Sequence, residues 1–123
     1  MASNKVVRIG PVAMSIAATN IVNPPTLSGG TGLSGVNTNT YLIIKHIRLV
    51  NKTAGAVSAT LYIGATGGSA AGTEFWVNGT SIPANQGIDF YGNVRLDVTD
   101  FLTGLAGAAT SITFEAEAEI GVV

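Results

Sequence analysis

The 123-residue sequence contains few residues of three kinds that most folded proteins use. It has no cysteine, charged residues make up only 11% of it, and aromatic residues 7%. Without cysteine the chain can form neither a disulfide nor a thiolate metal site, so its stability must come from packing or from assembly. No apolar run approaches the roughly 18 residues of a membrane-spanning helix, and we expect no membrane partner.

The scarcity of charge bears on assembly. Charged residues make up about 25% of an ordinary globular protein, mostly on its surface. The low fraction here predicts that much of the surface is buried against other subunits. Small neutral side chains such as Ser, Thr, Asn and Gly can also solvate a monomer, so that alternative stays open.

The few charges are unevenly placed along the chain. Their sum is −1, which gives no drive toward nucleic acid or an anionic membrane. Five of the six basic residues precede position 53, and all seven acidic residues lie at position 74 or beyond. This distribution predicts either cross-strand pairing inside one fold or contact between a basic and an acidic patch of neighbouring subunits.

Apolar residues recur with period two almost everywhere, which is typical of strands. Strand patterns cover residues 12–17, 41–51, 57–63, 94–98 and 112–120. The pattern over 41–51 is apolar on both faces, which indicates a central strand or one covered by another subunit. Strict alternation there places Lys45 and Arg48 on opposite faces. About eight short strands over residues 1–123 predict a single-domain all-β fold, an antiparallel, jelly-roll-like β-sandwich.

Two local signals refine this outline. Asn78-Gly79 is the strongest short hairpin signal, between "TEFWV" and "TSIPA". Residues 99–104 predict one helical turn, with Thr99 as the N-cap and Gly104 beyond its end.

Two segments are candidates for arms that reach neighbouring subunits. Residues 23–40 form a long polar loop with two prolines, and loops of that length are usually functional or disordered. The N-terminal segment 1–22 is the second candidate. It faintly resembles a signal peptide, but Gly10, Pro11 and Ser15 interrupt its apolar stretch, so we expect no secretion signal.

The motifs of common enzymes and cofactor sites are incomplete in this sequence. "GTGLSG" at 30–35 matches a dinucleotide pattern but follows two prolines and has no carboxylate at the expected distance. His46 is the only histidine, and a zinc site would have no second histidine or cysteine. No "GxSxG" elbow supports a serine nucleophile. We therefore predict no catalytic, cofactor-binding or metal-binding residue and no enzyme activity. His46 is interpreted as a surface or interface residue, with a pH-sensitive contact left open.

The most regular chemical pattern is a row of three glutamates in "SITFEAEAEIGVV". Glu115, Glu117 and Glu119 alternate with small residues, so neighbouring members lie about 6.6–7 Å apart on one strand face. That spacing could suit a glycosidase pair by distance alone, but nothing else in the sequence indicates a cleft. We interpret the row as a strand edge protected by charge or as half of a salt-bridged interface.

The candidate interface residues combine this row with the basic cluster and the single tryptophan. Trp76 is interpreted as an interface anchor. The predicted interface set is Trp76, Lys45, Arg48, Glu115, Glu117 and Glu119.

Three stretches carry a family resemblance: "IRLVNKTAGAVSATLYIGATGGSAAGTEF", "SIPANQGIDFYGNVRLD" and "DFLTGLAGAATSITFEAEAEIG". Together they resemble small β-rich virion proteins of tailed bacteriophages, and the low charge resembles that of capsid decoration (cement) proteins. The resemblance spans about two-thirds of the chain and carries over no functional residue. It implies a homotrimer on the outside of the phage head, bound to the major capsid protein and made in the host cytoplasm.

Two other interpretations remain open. A tail, neck or fibre component of a virion would have the same sequence character. A carbohydrate-binding β-sandwich module would need exposed, coplanar aromatic rings, for which Phe75, Trp76, Phe90 and Tyr91 are the candidates. Burial of Trp76 and Tyr91 would exclude it.

Overall fold

The computed structural model describes residues 5–22, 40–64, 69, 71–97 and 99–122. These residues form eight strands and no helix. The strands are β1 (Lys5–Ala13), β2 (Thr19–Val22), β3 (Thr40–Asn51), β4 (Val57–Gly64), β5 (Thr80–Ile82), β6 (Gly87–Leu96), β7 (Phe101–Ala106) and β8 (Ile112–Val122). The prediction of an all-β fold of about eight strands is confirmed.

The strands form two four-stranded antiparallel sheets. The first has the order β1-β8-β3-β6 and the second the order β2-β7-β4-β5. The pairing is nested, because β4 pairs with β5, β3 with β6, β2 with β7 and β1 with β8. These nested pairs make the eight strands one long antiparallel hairpin. The hairpin folds over on itself, so that β3 also pairs with β8 and β4 with β7. That is the strand order of a jelly roll, so the predicted architecture is confirmed.

The core lies between the sheets and is built by the period-two pattern. Leu61 on β4 and Phe114 on β8 are fully buried, as their positions in the alternation predict. Their strand neighbours two residues away are also buried or packed against the core. The largest fully buried side chains are Phe114, Leu42, Ile44, Ile47, Leu49, Leu61, Ile82, Leu96, Leu102, Ile112 and Ile120.

The first strand differs from its prediction. It begins before residue 12, and its register shifts between Ile9 and Val12. Gly10 occupies this irregularity with φ of 84°, and a Cβ there would lie 2.6 Å from the Phe114 carbonyl oxygen. Past the shift, Val12 lies opposite Phe114 and Met14 is buried, although Val12 is 39% exposed. Ile16 lies beyond the end of the strand and is 62% exposed.

The two predicted arms have different outcomes. Residues 5–13 and 19–22 are strands of the first and second sheets, so this part of the segment 1–22 belongs to the sandwich and is not an arm. The loop predicted at 23–40 lies outside the described residues except for its last residue, which begins β3. Its role as an arm stays a prediction.

Two local predictions are wrong. The helical turn predicted at 99–104 is absent, because residues 101–106 form β7 and pair with β4 and β2. The hairpin at Asn78-Gly79 is also absent, because the chain on both sides of it pairs with the same strand. Residues 80–82 pair with β4, and Phe75 and Val77 bond the backbone of Leu61 on β4.

A buried amide joins the two sheets at one end. Asn51, at the end of β3, is fully buried. Its Nδ2 donates to the carbonyl oxygens of Gly55 (2.8 Å) and Ile82 (3.0 Å). Its Oδ1 accepts from the backbone N–H and the hydroxyl of Thr53, at 2.9 and 2.7 Å. Since Ile82 lies on β5, this side chain connects the first sheet to the second.

Candidate functional site: the charged face of the first sheet

The charged residues of the strands lie together on the outer side of the first sheet. We call this surface the charged face. It consists of Arg8, Lys45, His46, Arg48, Asp89, Arg95, Glu115, Glu117 and Glu119. On β8 the three glutamates alternate with buried residues, so all three side chains lie on the side of the sheet away from the core.

A bulge in β3 places both lysine and arginine on this face. The register of β3 shifts between Ile44 and His46 against both of its neighbours. Against β8 the extra residue is Lys45, whereas against β6 the extra residue lies on β6, between Tyr91 and Val94. An extra residue interrupts the alternation of side chains, and Lys45 and Arg48 both reach partners on the outer side. The prediction that these two residues occupy opposite faces is therefore wrong.

The glutamate row is not at a sheet edge. Its strand, β8, lies between β1 and β3, so it has no free edge to protect, and the edge interpretation is wrong. Glu119 forms an ion pair with Lys45, with 3.1 Å between Oε2 and Nζ. Glu117 lies opposite His46 in the β3–β8 register. Glu119 with Lys45 and Asp89 with Arg48 thus pair across strands within one chain.

His46 occupies the middle of the charged face and contacts two carboxylates. Its Nδ1 lies 2.9 Å from Oε1 of Glu117, and its Nε2 lies 2.8 Å from Oδ1 of Asp89. The ring stacks on Tyr91 with 4.6 Å between centroids and 13° between planes. These contacts leave the His46 side chain 15% exposed.

The two carboxylates shift the titration of this histidine. The hydrogen bond to Asp89, and then the one to Glu117, raise the pKa of His46 above its ordinary value, against a smaller lowering by burial. The same bond from His46, and a second from Arg48, lower the pKa of Asp89. Arg48 Nε donates to the same Asp89 oxygen at 2.9 Å. The cluster therefore favours the imidazolium form of His46.

This geometry does not form a serine hydrolase triad. Such a triad needs one imidazole nitrogen free to accept the proton of a serine hydroxyl. Both ring nitrogens of His46 are bonded to carboxylates instead.

Glu115 is the one member of the row whose charge is incompletely satisfied. It lies opposite Arg48 in the β3–β8 register and close enough to influence the pKa of that guanidinium. Its Oε1 is inaccessible to solvent and accepts no hydrogen bond within the described part of the chain. Ligand atoms of His46, Glu115 and Glu117 all lie within 4.8 Å of one another.

The aromatic candidates have separate surroundings. Trp76 has φ of 64°, is partly buried, and packs against the core and Phe90, with 5.7 Å between ring centroids. Phe75 is also partly buried and meets Phe90 edge to face. Tyr91 is 72% exposed, on the opposite side of β6 from Phe90. Trp76 as an interface anchor stays a prediction.

The second sheet provides the contrast. Its strands read TNIV, VSATLYIG, TSI and FLTGLA, and none contains a charged residue. Directly opposed residues share a face, so the pairs Thr60–Leu105 and Tyr62–Thr103 define its outer side. Glu74, outside the named strands, bridges to Tyr62 and so adds one carboxylate to this side. The strands themselves carry no charge, in contrast to those of the first sheet.

Sequence reasoning missed the role of Asp89. Alternation along "GIDFYG" could have placed Asp89 and Tyr91 on one face. However, nothing local in the sequence indicates that β6 pairs with β3 beside His46.

No protein-family model matches the sequence, and no curated protein sequence matches it. None of the described segments forms a helix that could cross a membrane. Neither comparison indicates a function, so the function is inferred from the fold and the distribution of charge.

Proposed function

We propose that this protein is a structural protein of a phage virion, a capsid decoration protein that binds the outside of the head as a homotrimer. In this role it would add contacts between subunits of the major capsid protein and catalyse no reaction. The observation that carries the proposal is the concentration of strand charges on one sheet, which leaves the strands of the other sheet without a charged residue, although Glu74 is bridged to Tyr62 from outside those strands.

An uncharged sheet is suited to contact with another protein. Charged residues are depleted from the cores of protein interfaces, because removing an ion from water costs several kcal/mol unless it is well paired. On the outer side of the second sheet, Tyr62, Phe101 and Leu105 are partly exposed. A neighbouring copy of the chain could cover Phe101 and Leu105 without desolvating a charge of these strands, whereas Glu74 lies opposite Tyr62. In a trimer this surface would form one side of a head-to-tail contact.

The charged face is suited to the solvent side of such an assembly. Its ion pairs are partly exposed, for example Lys45 with Glu119, and solvent-accessible pairs keep a surface soluble while adding little to stability. A sandwich with one charged and one uncharged outer surface also accounts for the low overall charge of the chain.

The same surfaces would serve a tail, neck or fibre component, so the location in the virion has to be measured. The carbohydrate-binding alternative is less well supported, although jelly rolls also occur in lectins. Tyr91 is exposed, but its ring stacks on His46, and Phe75, Trp76 and Phe90 are partly buried in the core. No row of exposed aromatic rings is found among the described residues.

The first test is the solution mass, measured by light scattering over a range of concentrations. We expect three times the 12.4 kDa of one chain. A charge introduced on the second sheet by Leu105→Lys should dissociate the trimer, whereas Val6→Lys should not. Val6 is the matched control because it is 79% exposed and lies opposite Glu119 on the first sheet.

The second test is immunogold labelling of virions purified from the source of the gene. Label over the head surface is the expected result, and label over the tail would favour the alternative virion role. A monomeric wild type, together with virions that carry no label, would contradict the proposal.

A further inference from the structure

We propose that His46, Glu115 and Glu117 form a binding site for a divalent transition-metal cation of the Zn²⁺ type. The site lies on the outer side of the first sheet, between β3 and β8. This inference does not depend on the proposed function, and it revises the expectation from sequence that the chain has no metal-binding residue.

The first argument is the proximity of the donor atoms. The register places Glu117 directly opposite His46, and Glu115 one step further along the same face of β8. One ligand atom from each residue lies within 4.8 Å of the others. A zinc ion about 2.0–2.2 Å from each ligand needs these atoms roughly 3–4 Å apart. Glu117 is exposed and can rotate to close that difference.

The second argument is the orientation of the imidazole. His46 Nε2 bonds Asp89 at 2.8 Å, and Arg48 holds the same carboxylate oxygen at 2.9 Å. Histidine ligands of metals commonly donate their other ring N–H to a carboxylate in this way, which fixes the tautomer. Nε2–H then donates to Asp89, and Nδ1 faces Glu117. A cation bound to Nδ1 would replace the proton that Nδ1 and Glu117 now share.

The third argument is independent of the histidine. The Oε1 atom of Glu115 is inaccessible to solvent and accepts no hydrogen bond within the described residues. An ionised oxygen withdrawn from water without a donor is unfavourable. A cation bound between Glu115 and His46 would supply the missing partner.

The donor set selects the class of ion. One imidazole nitrogen with two carboxylates suits Zn²⁺ and its first-row neighbours, whereas Mg²⁺ and Ca²⁺ prefer oxygen ligands alone. Arg48 lies beside the site and carries a positive charge, which lowers its affinity for any cation. We therefore expect binding that saturates on titration but is weaker than at a closed structural zinc site.

The experiment is a calorimetric titration of untagged, chelator-treated protein with Zn²⁺. We expect one site per chain, and a loss of affinity of at least about tenfold for both Glu115→Gln and His46→Gln. Asp89→Asn, which removes the negative charge beside Nε2–H, should weaken binding by about 10–100-fold. Glu119→Gln is the matched control. It removes a carboxylate from the same row but not from the site, so its affinity should equal that of the wild type.

A second readout guards against variants that misfold. His46 is the only histidine, so its ring signals in the NMR spectrum of the wild type are unambiguous. Saturating Zn²⁺ should shift them, and equal Mg²⁺ should not. Unchanged ring signals, or equal affinity of the wild type and Glu115→Gln, would overturn the proposal.

Discussion

Asn51→Ala should lower the free energy of unfolding of the sandwich more than the replacement of any other polar residue in this part of β3. Alanine removes four hydrogen bonds, two donated to the Gly55 and Ile82 carbonyls and two accepted from Thr53. The Thr53 hydroxyl already lies 2.8 Å from the Gly55 carbonyl, so it can turn to that oxygen and recover one bond. Three bonds are then lost, at a net value of about 1 kcal/mol each.

The predicted loss is therefore about 3 kcal/mol of the free energy of unfolding. Unfolding entropy is about 2.1 cal/mol/K per residue, or roughly 0.26 kcal/mol/K for 123 residues. The loss corresponds to a fall in Tm of about 12 °C. Urea unfolding, followed by the fluorescence of Trp76, the only tryptophan, measures the loss of unfolding free energy directly. All variants should be compared at one chain concentration, because assembly would add to apparent stability.

Two further variants make this measurement decisive. Asn78→Ala changes an exposed asparagine and should stay within about 0.5 kcal/mol of the wild type. Asn51→Asp keeps the acceptor for Thr53 but places a carboxylate beside two carbonyl oxygens. It should be at least as destabilising as alanine. An Asn51→Ala variant as stable as Asn78→Ala would refute the role of this amide in joining the sheets.

Three other predictions concern the charged face and the core. Asp89 and Glu117 raise the pKa of His46 in the folded protein. The stability that these contacts add is therefore complete below the ordinary histidine pKa of about 6.5, and it is lost as the pH rises through the raised pKa of His46. In chelator, the difference in Tm between wild type and His46→Gln should thus be larger near pH ~6 than near pH ~9; a difference independent of pH would contradict this. Phe114→Ala removes a fully buried ring and should cost about 3–5 kcal/mol in urea unfolding. Gly104→Ala would bring a Cβ within 2.8–2.9 Å of three side chains and cost about 1–3 kcal/mol, whereas Gly55→Ala, with nothing within 4 Å, should change stability little.

The fold class and most inward-facing residues could be predicted from the sequence because the period of a strand is local. The alternation over β8 identified Phe114 and the outward glutamates, and the alternation over β4 identified Leu61. Residues 41–51 read as apolar on both faces because the bulge at Lys45 breaks the alternation, and the outer face carries His46 and Arg48. The prediction of a central strand is nevertheless confirmed, since β3 lies between β8 and β6.

The features that sequence reasoning missed depend on long-range pairing. The bulge at Lys45 appears in the sequence only as a break in the alternation of residues 41–51, which looks the same as a strand that is apolar on both faces. The bulge reverses which residues of β3 face outward. The segment 101–106 contains turn-like residues but is held as a strand by ladder bonds on both sides, which outweigh its local preference. The cluster at His46 depends on Asp89, 43 residues away, and on a strand pairing that no short motif encodes.

The nested strand pairing also has a consequence for synthesis. The inner pair β4–β5 joins residues close in sequence, whereas β1 must wait for β8, which is made more than 90 residues later and lies in the interior of its sheet. Such distant pairing makes folding slow. A nascent chain that has not yet released β8 leaves edges of β1 and β3 without partners. On crowded ribosomes those edges can accept the β8 of another chain, so exchange of this last strand is the misassembly that the topology makes most accessible.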